Sequence, residues 1–270
     1  MRWYVPSAPS ADLAEHVVCV WSAVSDGQSH LLVPDGCVDV LWIAGVGIRV
    51  CGPETSAWSF TLPPGIVSAG VRFRPGLASF ALRASAAQLR DTRVGLDDLI
   101  GSAGARPLAD RLDNARTAPE RLEVFQSAVR RWLAHGLAPD PLIGHLRQAL
   151  SGHSWSVGAL AETAALTERQ LQRRCNEAFG YGPATLRSIL RLQRFMALAD
   201  AAPARGLAEL AAAAGYSDQS HLNRETRRIS TLTPTALLAG EAPRWHGPGS
   251  ALDVRSIQSL GDRGAEESVA

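Results

Sequence analysis

Residues 216–234 read Tyr-Ser-Asp-Gln-Ser-His-Leu-Asn-Arg-Glu-Thr-Arg-Arg-Ile-Ser-Thr-Leu-Thr-Pro, and fifty residues upstream 166–180 read Leu-Thr-Glu-Arg-Gln-Leu-Gln-Arg-Arg-Cys-Asn-Glu-Ala-Phe-Gly. In both places a small-residue helical run leads into a tight turn with a hydroxyl residue. A helix with Gln, Asn and Arg on one face then follows. That order of elements is a helix-turn-helix written twice, and it predicts two units able to enter the major groove of one duplex.

The upstream unit can be laid out residue by residue. Asp140-Pro141 supplies an N-cap and a proline at the first helical position, ahead of Leu142, Ile143, Leu146 and Leu150. Ser156 caps the next helix, whose inward face is Val157, Leu160, Ala161 and Ala164. Thr167-Glu-Arg-Gln170 is a capping box, with the threonine oxygen and the Gln170 side chain satisfying free backbone N–H groups. On the helix it starts, Leu171, Cys175 and Phe179 face the core. Arg169, Gln172, Arg173 and Asn176 fall at i, i+3, i+4 and i+7, a polar stripe on the other side. A major groove suits such a stripe, because Arg bonds bidentately to guanine and Gln or Asn to adenine.

Pro183 opens a longer helix through Leu186, Ile189, Leu190, Leu192, Phe195, Met196 and Leu198. It would join the units and, at a separation of about 34 Å, present them to successive major grooves. Leu207, Leu210, Ala211 and Ala214 form the second scaffold helix, and Ser217 or Asp218 caps the second reading helix. There Leu222 and Ile229 point inward. Gln219, Ser220, His221, Asn223 and Arg224 are available for bases, and Arg227 and Arg228 for phosphates.

Several of these residues occur together with family spacing: Leu171-Gln-Arg-Arg, Gly180-Tyr-Gly-Pro183, Arg191-Leu192, Leu207-Ala-Glu-Leu-Ala211, Gly215-Tyr-Ser-Asp-Gln-Ser-His-Leu222, Arg224 and Thr233-Pro234. Residues 142–240 thereby resemble the DNA-binding domain of AraC/XylS-type transcription regulators. The resemblance implies two helix-turn-helix units bridged by a helix, double-stranded promoter DNA as partner, and RNA polymerase as a second partner if the chain is an activator. Cys175, Leu222 and Thr226 stand where the family usually has aromatic residues, and Thr231 where it has glycine. Thr226 places a hydroxyl at an inward position of the second unit.

Charge follows the same division. The chain carries 27 basic residues, every one an arginine, against 26 acidic ones. Residues 142–245 hold 12 arginines and 8 acids, whereas 1–141 hold 13 and 14. The positive excess thus lies where the repeated unit lies, as a nucleic-acid footprint should. At 270 residues and 46% apolar content the chain can bury real cores. No apolar run reaches membrane-spanning length and the N-terminus lacks a signal-peptide core, so a cytoplasmic protein with no membrane partner is expected.

The N-terminal half has a different texture. Runs at 30–33, 37–42, 48–51, 58–62 and 66–73 are short, apolar and bounded by Gly or Pro, with Pro34-Asp-Gly36 as a turn. They predict a β-sandwich or small barrel. From 107 to 135 Leu108, Leu112, Leu122, Phe125, Val129, Trp132 and Leu133 fall on helical faces, a hairpin offering either a dimer interface or a face packed on its own β domain. The expected fold is α+β in two domains: 1–136 β-rich with the hairpin, 137–245 the all-α double helix-turn-helix, and 246–270 a disordered tail.

Pro34-to-Trp42, Gly52-Pro-Glu-Thr55 and Gly70-to-Gly76 resemble an uncharacterised N-terminal domain found on a subset of these regulators, which implies a sensor or dimerisation role without naming an effector. Alternation puts Val38, Val40 and Trp42 on one strand face, and turns Arg72 and Arg74 away from Val71 and Phe73. One reading makes Arg72 and Arg74 an anionic-effector pocket walled by Trp42 or Trp58. The other makes them surface arginines or partners of Asp35 and Asp39, and is favoured.

Cys19, Cys37, Cys51 and Cys175 show no C-x-x-C and no zinc spacing, and a set of His16, Cys19, His30 and Cys37 has no motif spacing, so neither metal nor cofactor is expected. Two rival functions stay on the table. One is thiol chemistry at Cys37, as an enzyme or sensor assisted by His30. The other is a protein-interaction module with a degenerate DNA domain.

Overall fold

The computed structural model describes residues 3–137, 140–151 and 156–239, and no side chain within 147–151. The expected tail at 246–270 and the Leu150 side chain lie outside the described residues.

The first half is built on a six-stranded antiparallel sheet. Its strands are β1 (Tyr4–Ser7), β2 (Val17–Val24), β4 (Val38–Ile43), β5 (Gly47–Cys51), β7 (Val67–Phe73) and β8 (Arg93–Gly95), in the order β1-β2-β7-β4-β5-β8. Two further strands, β3 (Ser29–Leu32) and β6 (Trp58–Thr61), pair with each other in a separate ribbon. The Pro34-Asp-Gly36 turn therefore does not close a hairpin. It carries the chain from the ribbon into the main sheet, with Gly36 at φ 81°.

Strand alternation sorts the side chains. Val38, Val40 and Trp42 of β4, with Val71 and Phe73 of β7, face one buried core. Tyr4, Cys19, Trp21 and Ala23 form a second cluster. Val17 and Val20 both reach the first core because the register slips between Val17 and Cys19, a bulge that resets the two-residue period.

Helices, rather than a second sheet of equal size, cover the inner face. After α1 (Ala78–Leu82) and α2 (Ala86–Leu89) come α3 (Leu96–Ile100), α4 (Ser102–Asn114) and α5 (Ala118–His135). Leu96, Leu108, Leu112, Phe125 and Val129 are buried against the sheet residues. Trp132, Leu122 and Leu133 pack beside them, and Trp42 Nε1 donates to Asp113 at 2.8 Å. The apolar residues of the 107–135 hairpin are thus accounted for by its own β domain. Thr117 and Glu120 form the capping box that starts α5.

The second half is helical: α6 (Pro141–Ser151), α7 (Val157–Thr163), α8 (Glu168–Phe179), α9 (Pro183–Ala201), α10 (Leu207–Ala214), α11 (Gln219–Ser230) and α12 (Pro234–Ala239). Helix α9 runs 19 residues, about 28 Å at 1.5 Å per residue. Its two ends sit in two cores. Leu186, Ile189 and Leu190 join Ile143, Leu146, Leu160, Leu171, Cys175 and Phe179. Leu192, Phe195 and Ala199 join Leu210, Ala211, Ala214, Leu222 and Ile229.

Neither core belongs to the helical half alone. Leu77, with Phe80 beside it, enters the first, and Leu31 and Val33 enter the second.

Candidate nucleic-acid interface

Helix α8 begins as its sequence requires. Thr167 Oγ1 accepts from Gln170 N at 3.2 Å, and Gln170 Oε1 accepts from Thr167 N at 2.8 Å. It ends at Gly180, whose φ of 84° is the left-handed cap that glycine takes without strain. Leu171, Cys175 and Phe179 are buried, while Arg169, Gln172 and Arg173 are exposed and Asn176 is partly so. The stripe thus stands outward on a fixed helix. A Cβ on Gly182 would lie 2.0 Å from Gln172 Nε2, so the Gln172 amide rests over the turn after the helix. Arg174, just off the stripe, is bonded to Asp140 at 3.1 Å and ties α8 to the start of α6.

Helix α11 is capped by Asp218, whose Oδ1 accepts from His221 N at 2.7 Å. That bond holds the Asp218 carboxyl below its usual range. Gln219, Ser220, Arg224, Arg227 and Arg228 are exposed, and Asn223 is partly so. His221 behaves differently from its neighbours. Its Nδ1 lies 3.1 Å from Ser217 Oγ, its Nε2 lies 3.4 Å from an Arg191 nitrogen and 3.7 Å from Glu225, and its ring stands edge-on to Tyr216. The histidine is a member of an internal network before it meets any base.

Arg191 is the centre of that network. From α9 it donates to both Glu225 oxygens and to the Gly215 carbonyl, and it lies 4.6 Å from the Tyr216 ring centre. Ser188 donates to Glu225 at 2.7 Å. Burial pushes the Glu225 carboxyl up, but the bonds from Ser188 and Arg191 outweigh it and hold the group below its ordinary value. Arg191 thereby fixes α11 and the preceding turn to the linker helix, a role that its place among the family residues marks without explaining.

Two departures from the family spelling have visible consequences. Thr226 is fully buried and its hydroxyl has no hydrogen-bond partner. Thr231 caps α11 at φ 65°, where a β-branched residue is strained and glycine is not.

The four residues considered for an effector pocket do not converge. Trp42 faces the helix-covered core, on the opposite side of the sheet from Arg72, because Trp42 pairs with Ala69 and Arg72 with Asp39 across β4 and β7. Arg74 lies past the end of β7 and donates to the Ala14 carbonyl at 2.8 Å. Arg72 is buried between Asp39 and Asp35, at 3.0 Å from each. Burial works against its charge, and the two carboxylates overcome that and keep it protonated. Trp58 and Arg72 do share a cavity, with Asp35, Cys37, Cys51 and Glu54. At about 40 Å³ it has room for water and not for a drug-sized ligand, which needs roughly 300 Å³ or more.

Cys37 and Cys51 line that cavity as thiols rather than a disulfide, and burial pushes the Cys51 thiol up to about 12. His30 stands elsewhere, bonded to Asp26 and stacked on Trp3 at 3.8 Å. A thiol raised in this way is a poor nucleophile.

Two capped helices with buried apolar faces and outward Arg, Gln and Asn, joined by one helix, define a double helix-turn-helix DNA-binding protein. Residues 160–240 match the model of a helix-turn-helix domain (HTH_18), and residues 7–95 match a domain of unknown function (DUF6597). The chain is a DNA-binding transcription regulator with an AraC-type domain behind a DUF6597 domain.

No curated protein matches it. Among solved structures, it is similar to an apo variant of ToxT from Vibrio cholerae strain SCE256, with TM-score 0.45, 12% identity, and 82% of this chain and 97% of that one covered. ToxT from Vibrio cholerae O395 follows at TM-score 0.43, 10% identity, and 88% and 98% coverage. These likenesses are too distant to carry an argument about any site. Among the described residues no helix is long and apolar enough to cross a membrane.

Proposed function

We propose that this cytoplasmic regulator reads promoter DNA with α8 and α11 in successive major grooves. Arg169, Gln172, Arg173 and Asn176 are the base-reading set of the first unit. Gln219, Ser220, Asn223 and Arg224 form that of the second, with Arg227 and Arg228 on phosphates. His221 holds the second helix in place through Ser217, Arg191 and Glu225, and contributes to base contacts only indirectly. The observation that carries this reading is the pairing of two N-capped helices, each buried on its apolar side and exposed on its Arg/Gln/Asn side.

The N-terminal domain is the regulatory part. It enters both helix-turn-helix cores, so an effector or a second copy of the chain acting on it would reach the reading helices. RNA polymerase is the second partner of an activator of this kind. Selection of bound sequences from random double-stranded DNA by the full chain tests the assignment. Enrichment of two short motifs about one helical turn apart is expected. Uniform binding, with affinity that only tracks salt, would leave a non-specific cationic surface and sink the base-reading role.

A further inference from the structure

The N-terminal domain touches the two reading helices at equivalent places, their C-terminal ends. On α8, Arg90 donates to the Gly180 carbonyl at 3.1 Å, Ser79 to Ala178 at 3.4 Å and Ser85 to Glu177 at 3.5 Å. A Cβ on Gly180 would stand 2.5 Å from Pro53, so the loop after β5 packs directly on that cap. On α11, Ala57 N donates to the Ile229 carbonyl at 2.7 Å. Carbonyls at the end of a helix lack intrahelical partners, so N–H and guanidinium donors there restrain the helix where it has bonds to spare.

The segments that make these contacts are themselves joined. Residues 52–57 and 89–93 run side by side. Thr55 donates to Asp91 from its backbone at 2.7 Å and from its hydroxyl at 2.8 Å. Asp91 N donates to the Pro53 carbonyl, and Gly52 N to the Thr92 carbonyl, both at 3.1 Å. Arg93 pairs with Glu54 and lies 3.5 Å from the Trp58 ring centre. The backbones at Gly52 and Leu89 approach so closely that a Cβ at 52 would fall 1.7 Å from the Leu89 carbonyl oxygen.

We infer that this double segment, 52–57 with 89–93, is a second strut between the reading helices and sets the spacing of the two DNA motifs the chain accepts. The inference rests on α8 and α11 being the readers. Each unit is packed on its own part of α9, so that helix alone relates the two only through its own bending and twisting. A second connection between the C-terminal ends of α8 and α11 closes a ring and stiffens that relation. Asp91 is its central positioning residue, since its carboxylate and its backbone N–H together fasten Thr55 and Pro53 of the arm that reaches α11 to the arm that carries Arg90. Changing the DNA spacing by one base pair shifts one motif by about 3.4 Å and turns it by about 35°, which a closed ring resists and an open one follows.

The test uses the full chain and duplexes carrying the two selected motifs with the spacer unchanged, one base pair shorter and one longer. Fluorescence anisotropy reads affinity, and thermal unfolding checks that each variant is folded. The wild type should lose about tenfold or more at either altered spacing. Asp91→Ala and Arg90→Met should reduce that penalty to about threefold or less while binding the native spacing nearly as well. Asp91→Asn, which tolerates the same left-handed backbone (φ 56°) and keeps an acceptor for Thr55, should restore most of the discrimination.

A wild type indifferent to spacing overturns the strut and leaves the DNA-reading assignment standing, as do folded variants that keep the full penalty. If Asp91→Ala does not fold, Arg90→Met decides. A wild type that binds none of the duplexes overturns the reading of α8 and α11 itself.

Discussion

Thr226 is the residue that the family comparison and the packing single out together. Its position on α11 is fully buried, three or four residues from the buried Leu222 and Ile229 on the same helix, yet its hydroxyl finds no partner. A buried polar group left unsatisfied costs free energy that an apolar group of the same shape does not. Valine is nearly isosteric with threonine, so Thr226→Val should raise the unfolding free energy by about 1 kcal/mol, with DNA affinity unchanged. Chemical denaturation with an unchanged m-value is the measurement. A destabilised variant would mean that the hydroxyl is satisfied by water in solution. Arg72 shows the opposite arrangement, a buried charge with carboxylates on two sides. Its pairing with Asp35 and Asp39 is the favoured reading of the strand faces, whereas Trp42, expected as a possible wall of the pocket, lies on the other face of the sheet. What alternation could not show was how little room the pocket has, which depends on the ribbon folding over it.

At the scale of elements, the second half was more legible than the first. The caps at Ser156, Thr167 and Asp218, the glycine ends at Gly180 and Gly215, and the inward residues of α7 to α11 follow from local rules of helix ends and a 3.6-residue period. The sheet was read as short strands, but its pairing was not, because β3 and β4 lie on either side of a turn and still join different sheets. The bulge near Val17 and the docking of 79–90 on α8 depend on contacts distant in sequence, and no local pattern encodes them. The reading helices make a prediction of their own. Arg173 stands on the outward stripe of α8, and Arg228 near the end of α11. Arg173→Ala should cost about 1–3 kcal/mol on the preferred site and relax base preference at one position. Arg228→Ala should weaken all sequences alike and lower the salt slope by about one. Competition binding against single-base variants distinguishes them, and an equal loss for Arg173→Ala on every sequence would refute its role as a base reader.

For the whole molecule, the decisive feature is that the two halves share their interiors. Leu77 is buried with Phe179, Tyr181 and Leu186, and Leu31 and Val33 with Leu192, Phe195 and Tyr216. Gln193 of α9 reaches across to the Pro34 carbonyl at 2.8 Å in a fully buried bond. Separating the halves would expose these apolar side chains and strand that bond, so unfolding one should carry the other with it. The two signals weight the halves differently. Five of the seven tryptophans (Trp3, Trp21, Trp42, Trp58 and Trp132) lie in the N-terminal half and only Trp155 and Trp245 beyond it, whereas α6 to α12 supply most of the helical signal. Urea titrations followed by tryptophan fluorescence and by far-ultraviolet circular dichroism should therefore give coincident transitions, the mark of cooperative unfolding. Leu77→Ala should shift both curves together, by about 2–5 kcal/mol, since it opens a cavity in a core that both halves line. If fluorescence and dichroism separate, and Leu77→Ala moves only one of them, the halves are independent bodies in solution and regulation cannot pass through a shared core.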